Sequence, residues 1–150
     1  MDDRSPEARS NNMARIKSSQ TKPEMYIRSQ LHSMGFRFKV NSNLVPGKPD
    51  LLFTKKKVAV FVHGCFWHSH PGCKFASTPL SNQEYWGPKM KRNIDRDLET
   101  IVSLNDLGFR VLVVWECTIK KMIRDKDFSD SIFKLMSDFI SDCNERFSEF

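Results

Sequence analysis

The segment from His63 to Pro79 constrains this chain more strongly than any other, because its residues follow neither helical nor strand periodicity. The segment is rich in histidine, cysteine, glycine and aromatic residues. An irregular segment of this length in a small protein is usually functional. It buries too little apolar surface to offset the entropy lost when it becomes ordered. We therefore expect something other than a hydrophobic core to hold it in shape.

Three residues of this segment and one from later in the chain form a set of ligands that zinc accepts. They are Cys65, His70 and Cys73, spaced C-x4-H-x2-C, and Cys117, which directly follows an apolar run. A closed Cys₃His set is typical of a structural, tetrahedral zinc site, and such a site would tie the segment to the rest of the fold. Two alternatives stay open: His68 or Cys143 could replace His70 as a ligand, or the thiols could simply be buried.

Two continuous apolar runs, Val58–Val62 and Phe109–Trp115, predict buried strands. The short run Asp50–Phe53 precedes the first of them across a lysine-rich turn, which predicts a hairpin. Alternating apolar and polar residues at 36–40 predict a further strand. The sequence therefore predicts a sheet in the middle of the fold.

Helices are predicted on both sides of these strands. Thr21 can cap a helix in which Glu24 occupies the capping-box position, and Gly35 can end it. A long helix is expected from about Gln83 to Leu107, and another over about 128–142. The expected apolar stripes are Ile27, Leu31 and Met34 in the first helix, Trp86, Met90, Ile94, Leu98 and Ile101 in the second, and Phe128, Ile132, Leu135, Met136 and Phe139 in the last. The predicted class is α/β, with a mixed sheet flanked by helices in one domain over 1–150.

The chain is basic, with a formal net charge of +6 and a pI near 9.3. An excess of Lys and Arg favours a polyanionic partner, since each neutralised phosphate releases counterions. Residues 1–18 are polar and basic, which predicts a basic arm or an exposed helix, with a frayed terminus as the alternative. No apolar run approaches the roughly 20 residues that a bilayer requires. The start of the chain lacks the apolar segment of a secretory signal. We expect a cytoplasmic protein with free thiols and no membrane partner.

Candidate catalytic residues lie around the hairpin. Asp50 stands at its head, where a carboxylate could hold Mg²⁺ during phosphodiester cleavage. Metal-dependent nucleases usually carry D/E-x-K on the second strand, but this chain has Phe61-Val62-His63 there. The second carboxylate and the lysine are therefore missing. His63 and His68 are available instead, and a neutral imidazole can take a proton from an attacking water.

Several strings of the sequence resemble the very-short-patch repair (Vsr) DNA mismatch endonucleases. They are Ala8-Arg9-Ser10-Asn11-Asn12-Met13, Pro46-Gly47-Lys48-Pro49-Asp50, Val62-His63-Gly64-Cys65-Phe66-Trp67-His68, Arg92-Asn93-Ile94-Asp95-Arg96-Asp97 and Val113-Val114-Trp115-Glu116-Cys117. The resemblance covers about residues 8 to 120, and the H-G-C-F-W-H string is its most specific part.

The resemblance implies a restriction-endonuclease-like fold and Mg²⁺-dependent nicking of duplex DNA on the 5′ side of the T in a T:G mismatch. Such mismatches arise when 5-methylcytosine deaminates. The implied Mg²⁺ ligands are Asp50 and the Val62 carbonyl, with His68 as the base and His63 and Glu24 in support. The implied zinc ligands are Cys65, His70, Cys73 and Cys117. The implied intercalating wedge is Phe66, Trp67 and Trp86, and the implied DNA contacts are Arg9, Met13, Arg15, Lys17, Lys89 and Asn93.

Two other functions stay open from the sequence. The chain could be a zinc-stabilised module that binds DNA without cutting it, or a restriction-type nuclease that cuts both strands of undamaged sites. Asp50 and the two histidines favour catalysis over simple DNA binding. Phe66 and Trp67 favour a mismatch as the DNA target over an undamaged site, because unstacking a normal duplex costs more. Nicking an asymmetric lesion requires only a monomer, and mismatch-repair proteins are possible partners.

Overall fold

The computed structural model describes residues 21–76, 82–141 and 144–150. The helices are α1 (Lys22–Ser33), α2 (Gln83–Asp106), α3 (Glu116–Arg124) and α4 (Lys126–Ser141), with a short 3₁₀ turn at Lys74–Ala76. The strands are β1 (Lys39–Val40), β2 (Leu51–Phe53), β3 (Val58–His63), β4 (Arg110–Trp115) and β5 (Phe147–Glu149). None of the helices in the described ranges is both long and apolar enough to cross a bilayer.

The five strands form one mixed sheet in the order β1-β2-β3-β4-β5. The pairs β1–β2 and β2–β3 are antiparallel, whereas β3–β4 and β4–β5 are parallel. The β3–β4 register places His63 beside Trp115 at the carboxyl ends of both strands. The predicted hairpin and mixed sheet are therefore confirmed.

Each face of the sheet is covered by a different set of helices. Val58 and Val60 of β3 contribute to a core shared with α1, α3 and α4. Ala59 and Phe61 contribute to the opposite core, which includes Leu104 of α2. Burial on both faces explains why β3 and β4 are continuous apolar runs rather than alternating ones. Side chains alternate in direction along β3, so His63 at its end points to the same face as Ala59 and Phe61, toward α2, where the site lies.

The start of α1 agrees with the sequence. Thr21 caps the helix and its hydroxyl oxygen accepts the backbone N–H of Glu24. Ile27 and Leu31 are fully buried. The expected burial of Met34 is wrong: this residue is the C-cap and is exposed. The helix ends at this residue, and the chain turns at Gly35 toward β1, which explains the difference.

The predicted apolar stripe of α2 is wrong in two positions. Ile94 and Leu98 are exposed, whereas the polar Asn93 is buried and Asp97 is half-buried on the sheet side. The inward face carries side chains that hydrogen-bond to the His63–Pro79 segment, so hydropathy alone misplaced it. Hydrophobic periodicity fails in this way where a helix face serves a site rather than a core.

The carboxyl-terminal half of the fold contains more structure than the sequence indicated. Helix α3 and strand β5 were not anticipated, and the last helix starts at Lys126. In α4, Leu135 is exposed, whereas Phe133 and Ile140 are buried in its place. The predicted strand at 36–40 is reduced to two residues. Phe36 and Phe38 instead direct their rings against Phe53.

Candidate active site and metal centre

A cleft of about 320 Å³ lies between the ends of the central strands and α2. Its polar lining includes three of the four residues proposed for catalysis. The polar side chains that line it belong to Lys48, Asp50, His63, His68, Arg96, Asp97 and Thr100. Asp50, His63 and His68 thus meet in one place, as the sequence suggested.

Asp50 is fixed by the hairpin that it heads. Its Oδ2 accepts the backbone N–H of Val62 at 2.7 Å. Burial is the main reason that the pKa of the Asp50 carboxyl is raised to about 6. The Val62 hydrogen bond lowers this pKa and the charge of Glu24 raises it by smaller amounts. Glu24 is itself buried and pairs with Arg28 at 2.9 Å. A cation at Asp50 would offset the cost of keeping these carboxylates charged.

The two histidines stack on each other beside Asp50. The His63 and His68 rings are 3.8 Å apart between centroids and nearly parallel, at 3°. Burial and, to a smaller extent, the neighbouring His68 lower the pKa of the His63 imidazole to about 3, while Asp97 has a smaller opposing effect. His63 is therefore neutral across the working range of most enzymes. A neutral ring can stack on a second imidazole without repelling the charge that the second ring gains on protonation.

Asp97 was not recognised from the sequence as a site residue. Its Oδ2 lies 2.6 Å from Nδ1 of His68, which joins α2 to the loop after β3. If His68 donates from Nδ1 to the carboxylate, Nε2 is left as the proton acceptor. The sequence held only an indirect signal: Asp97 ends the string Arg92-Asn93-Ile94-Asp95-Arg96-Asp97 and follows Asn93 by four residues, which places both on the same helix face.

The turn at residues 46–48 is pressed against α2. Gly47 has φ of +84°, and a Cβ there would collide with the methyl group of Thr100. Lys48 follows with φ of +48°, a left-handed conformation that costs a non-glycine residue about 1 kcal/mol. The turn therefore holds Lys48 at the cleft at an energetic cost.

The four predicted zinc ligands meet in a second cluster. The ligand atoms of Cys65, His70, Cys73 and Cys117 all lie within 4.8 Å of one another. His70 Nδ1 is 3.6 Å from Cys65 Sγ and 3.5 Å from Cys117 Sγ. Tetrahedral bonding with the usual zinc–sulfur and zinc–nitrogen lengths would place such atoms about 3.5 Å apart. The donor types and spacing therefore fit a zinc ion. His68 is not in this cluster, and Cys143 lies outside the described residues.

Trp115 separates the metal cluster from the cleft. The His70 ring stacks on its indole at 4.0 Å and 7°. His63 meets the same indole edge-on, at 5.2 Å. The Trp115 Nε1–H donates to Glu149 of β5 at 3.2 Å. One side chain thus contacts a candidate zinc ligand, a cleft histidine and the last strand.

Three aromatic side chains form a cluster at the edge of the cleft. The Phe66, Trp67 and Trp86 rings lie 5.0–6.1 Å from one another. They are half-buried and belong to neither hydrophobic core. The Lys89 ammonium lies 5.4 Å from the Trp67 ring and 5.7 Å from the Trp86 ring. We call these three rings with Lys89 the aromatic cluster.

Asn93 connects α2 to the aromatic cluster. Its amide donates to the Trp67 carbonyl at 2.9 Å and its Oδ1 accepts from Arg96 at 2.5 Å. The predicted DNA contacts Lys89 and Asn93 therefore both lie beside Trp67. The basic arm, with Arg9, Met13, Arg15 and Lys17, lies outside the described residues.

Known proteins resemble this chain over most of its length. The family model for DNA mismatch endonuclease Vsr matches residues 1–74. DNA mismatch endonuclease Vsr of Escherichia coli is 35% identical over 137 residues, covering 91% of this chain and 85% of that protein. The chain belongs to the Vsr family. Vsr membership makes it a DNA endonuclease and makes its mixed sheet a restriction-endonuclease-like fold.

Other relatives of this Vsr-family chain have a different name. Type II nicking enzyme V.XorIIP of Xanthomonas oryzae pv. oryzae is 43% identical over 118 residues, covering 79% of this chain and 86% of that protein. Type II nicking enzyme V.NmeAIP of Neisseria meningitidis is 43% identical over 108 residues, covering 72% of this chain and 76% of that protein. The family resemblance read from the sequence is confirmed, while the choice of DNA target needs a separate argument.

Proposed function

We propose that this endonuclease nicks one strand of duplex DNA 5′ to the T of a T:G mismatch produced by deamination of 5-methylcytosine. One observation carries the proposal: the cleft with Asp50 and the His68–Asp97 pair opens beside the half-exposed aromatic cluster. The cleft has the groups needed to cut a phosphodiester, and the aromatic cluster has the rings needed to enter a weakened base stack. The Escherichia coli relative named DNA mismatch endonuclease supports the target.

Asp50 and the Val62 carbonyl are the proposed ligands of a catalytic Mg²⁺. When bound, that ion stabilises the charge that develops on the attacked phosphate. Asp50 donates no proton, and its Val62 hydrogen bond keeps one carboxylate oxygen oriented by the hairpin. Glu24 lies close enough to raise the pKa of Asp50, so it adds negative charge for the cation.

His68 is the proposed general base. Asp97 holds Nδ1 at 2.6 Å, which fixes the ring and favours the tautomer whose Nε2 accepts a proton from water. When His68 becomes an imidazolium, the Asp97 carboxylate stabilises that charge. His63 keeps the ring in place by stacking and stays neutral, because its pKa is lowered to about 3.

Asp97→Asn is therefore expected to reduce the nicking kcat by at least about 100-fold, the lower range of general-base contributions. DNA affinity changes little, since the carboxylate faces His68. Single-turnover nicking and a binding titration without Mg²⁺ measure the two quantities. Asp95→Asn, an exposed carboxylate on the same helix, is the control and keeps wild-type kcat. A wild-type kcat in Asp97→Asn would refute the base assignment.

The aromatic cluster is the proposed wedge. Inserting rings between base steps costs a few kcal/mol of unstacking, and least at a mismatch. Lys89, which lies over two of these rings, places a cation where the phosphates or the displaced bases would lie. Phe66, Trp67 and Trp86 are half-buried and outside both cores, which supports this role over simple packing.

Trp67→Ala is expected to lower kcat/KM on T:G duplex by about 10- to 100-fold, from the loss of about 1–3 kcal/mol of stacking. Zinc content and melting temperature stay near wild type, because the ring lies outside the cores. Phe147→Ala removes an exposed ring from β5 and serves as the control. Unfolding of Trp67→Ala, or unchanged activity, would show that the ring only packs.

The remaining assignments follow from the same proposal. Zinc is the proposed occupant of the Cys₃His cluster, and Arg9, Met13, Arg15, Lys17, Lys89 and Asn93 are the proposed DNA contacts. A monomer in the bacterial cytoplasm suffices for one nick, and mismatch-repair proteins are the proposed partners.

A second candidate is nicking of a specific undamaged sequence, favoured by the relatives named type II nicking enzymes. Matched T:G and T:A duplexes, labelled on each strand, separate the candidates with Mg²⁺ and with EDTA. Mg²⁺-dependent nicking of T:G alone is expected. Equal nicking of T:A supports the second candidate, cuts in both strands indicate a restriction-type nuclease, and binding without cutting indicates a non-catalytic module.

A further inference from the structure

The cleft contains an unusual balance of charge for a site that takes a phosphodiester. The carboxylates of Asp50 and Asp97 both line it. The second strand of the hairpin has His63 near the place where metal-dependent nucleases usually carry a lysine. A cation other than a metal ion must therefore come from another element if it is to reach the scissile phosphate.

Among the described residues, two with permanently cationic side chains line this cleft, Lys48 and Arg96. Arg96 is already engaged, because its guanidinium donates to Asn93 Oδ1. Lys48 is exposed, and no ion pair within residues 21–76, 82–141 and 144–150 includes it. Its ammonium is thus available to a ligand, whereas the arginine is hydrogen-bonded to Asn93 of its own helix.

The backbone at Lys48 is also strained. It occupies a left-handed conformation that L side chains rarely adopt, directly after a glycine that only fits because it lacks a Cβ against Thr100. Strained backbone that the surrounding structure enforces is concentrated at functional sites. Asp50 follows only two residues later, so this single turn delivers both a carboxylate and an ammonium to the cleft.

We propose that Lys48 is a catalytic residue whose ammonium contacts the non-bridging oxygens of the scissile phosphate, supplying the cation that the second strand lacks. The proposal rests on the proposed function of the cleft as a phosphodiester-cleaving site. Lys48 forms no covalent bond and transfers no proton. It neutralises charge that grows on the phosphate oxygens as water attacks and the leaving oxygen departs.

The chain offers a closely matched control for this lysine. Lys57, in the turn between β2 and β3, is also exposed and also has a left-handed backbone, with φ of +55°. It does not line the cleft. Lys57→Met therefore removes one positive charge and places methionine in a left-handed backbone, just as Lys48→Met does. It removes no cation from the cleft.

The test compares Lys48→Met, Lys48→Arg and Lys57→Met on whichever labelled duplex, T:G or T:A, the wild type nicks. Lys48→Met is expected to lower kcat about 100-fold, as removal of one oxyanion-stabilising donor does. It should also reduce the slope of log affinity against log salt by about one, measured without Mg²⁺. Lys48→Arg is expected to keep kcat within about tenfold of wild type, because it retains the charge.

Lys57→Met is expected to leave kcat at the wild-type value. A kcat for Lys48→Met within threefold of wild type, an unchanged salt slope, or an equal kcat loss in Lys57→Met would overturn the proposal. If the wild type nicks neither duplex, the proposed function fails, and the salt slopes on the same duplexes still decide whether Lys48 contacts phosphate. Melting curves and zinc content establish that each variant is folded.

Discussion

Asp50→Asn is expected to abolish nicking while making the protein more stable in Mg²⁺-free buffer. Nicking falls by at least about 1,000-fold, because the cation that stabilises the attacked phosphate contributes several kcal/mol and the amide is a poor ligand for it. The Val62 N–H still finds an oxygen acceptor, so the hairpin keeps its shape. DNA binding measured without Mg²⁺ is expected to survive.

The gain in stability follows from the pKa of Asp50. Burial raises this pKa from 3.8 to about 6, so the folded protein carries a penalty of about 3 kcal/mol for the ionised carboxylate at pH 7.5. Asparagine removes that penalty, which corresponds to a melting temperature higher by about 6–12 °C. The folded state binds the proton more tightly than the unfolded state, so wild-type stability falls as pH rises from about 4 to 6. At pH 5 the advantage of the variant is therefore about half as large.

Thermal melts at pH 5 and 7.5, with and without Mg²⁺, check the result. Mg²⁺ is expected to raise the wild-type melting temperature and leave that of Asp50→Asn unchanged. Asp130→Asn, an exposed carboxylate on α4, is the control and behaves as wild type in all four conditions. Robust nicking by Asp50→Asn would remove Asp50 from the metal site.

Cys117→Ser is expected to lose the bound zinc and to lower the melting temperature by more than about 10 °C, because a structural zinc contributes folding free energy directly. Cys117 lies at the start of α3, and its backbone N–H also donates to Cys65 Sγ. The substitution keeps this backbone hydrogen bond but removes the proposed metal tie between the loop after β3 and the end of β4. Metal analysis of the purified protein should find one zinc per chain in the wild type.

Two further variants test the choice of ligands. His68→Ala keeps the zinc, because His68 pairs with Asp97 rather than with the thiols. Cys143→Ser keeps it as well if the four clustered residues are the complete set. Zinc loss in Cys143→Ser would reassign the fourth ligand, and folded wild-type protein without zinc would rule out the metal centre.

The sequence predicted those parts of the fold that local pattern determines. The capped start of α1, the limits of α2 and the runs of β3 and β4 follow from spacing and hydropathy, and the structure agrees. The zinc ligands could be proposed because their residue types are rare and chemically specific. Cys65, His70 and Cys73 also lie within nine residues of one another.

The features that the sequence did not predict depend on contacts between distant parts of the chain. Strand β5 has three residues and pairs with β4 only because the preceding helices bring the chain back to the sheet. Asp97 looks like an ordinary charged residue on a helix until the loop after β3 places His68 against it, 29 residues away in sequence. The inward face of α2 was misread for the same reason, since its polar side chains find partners outside the helix.

The indole of Trp115 couples the position of the Cys₃His cluster to that of the cleft. Because His70 lies flat on it and His63 abuts it, a shift of the indole would move both rings together. Glu149 holds that indole from the last strand, so the terminus of the chain takes part in aligning a cleft that it does not line. Loss of the proposed zinc is therefore expected to misorient His63 first, and to abolish nicking while most of the sheet is still folded.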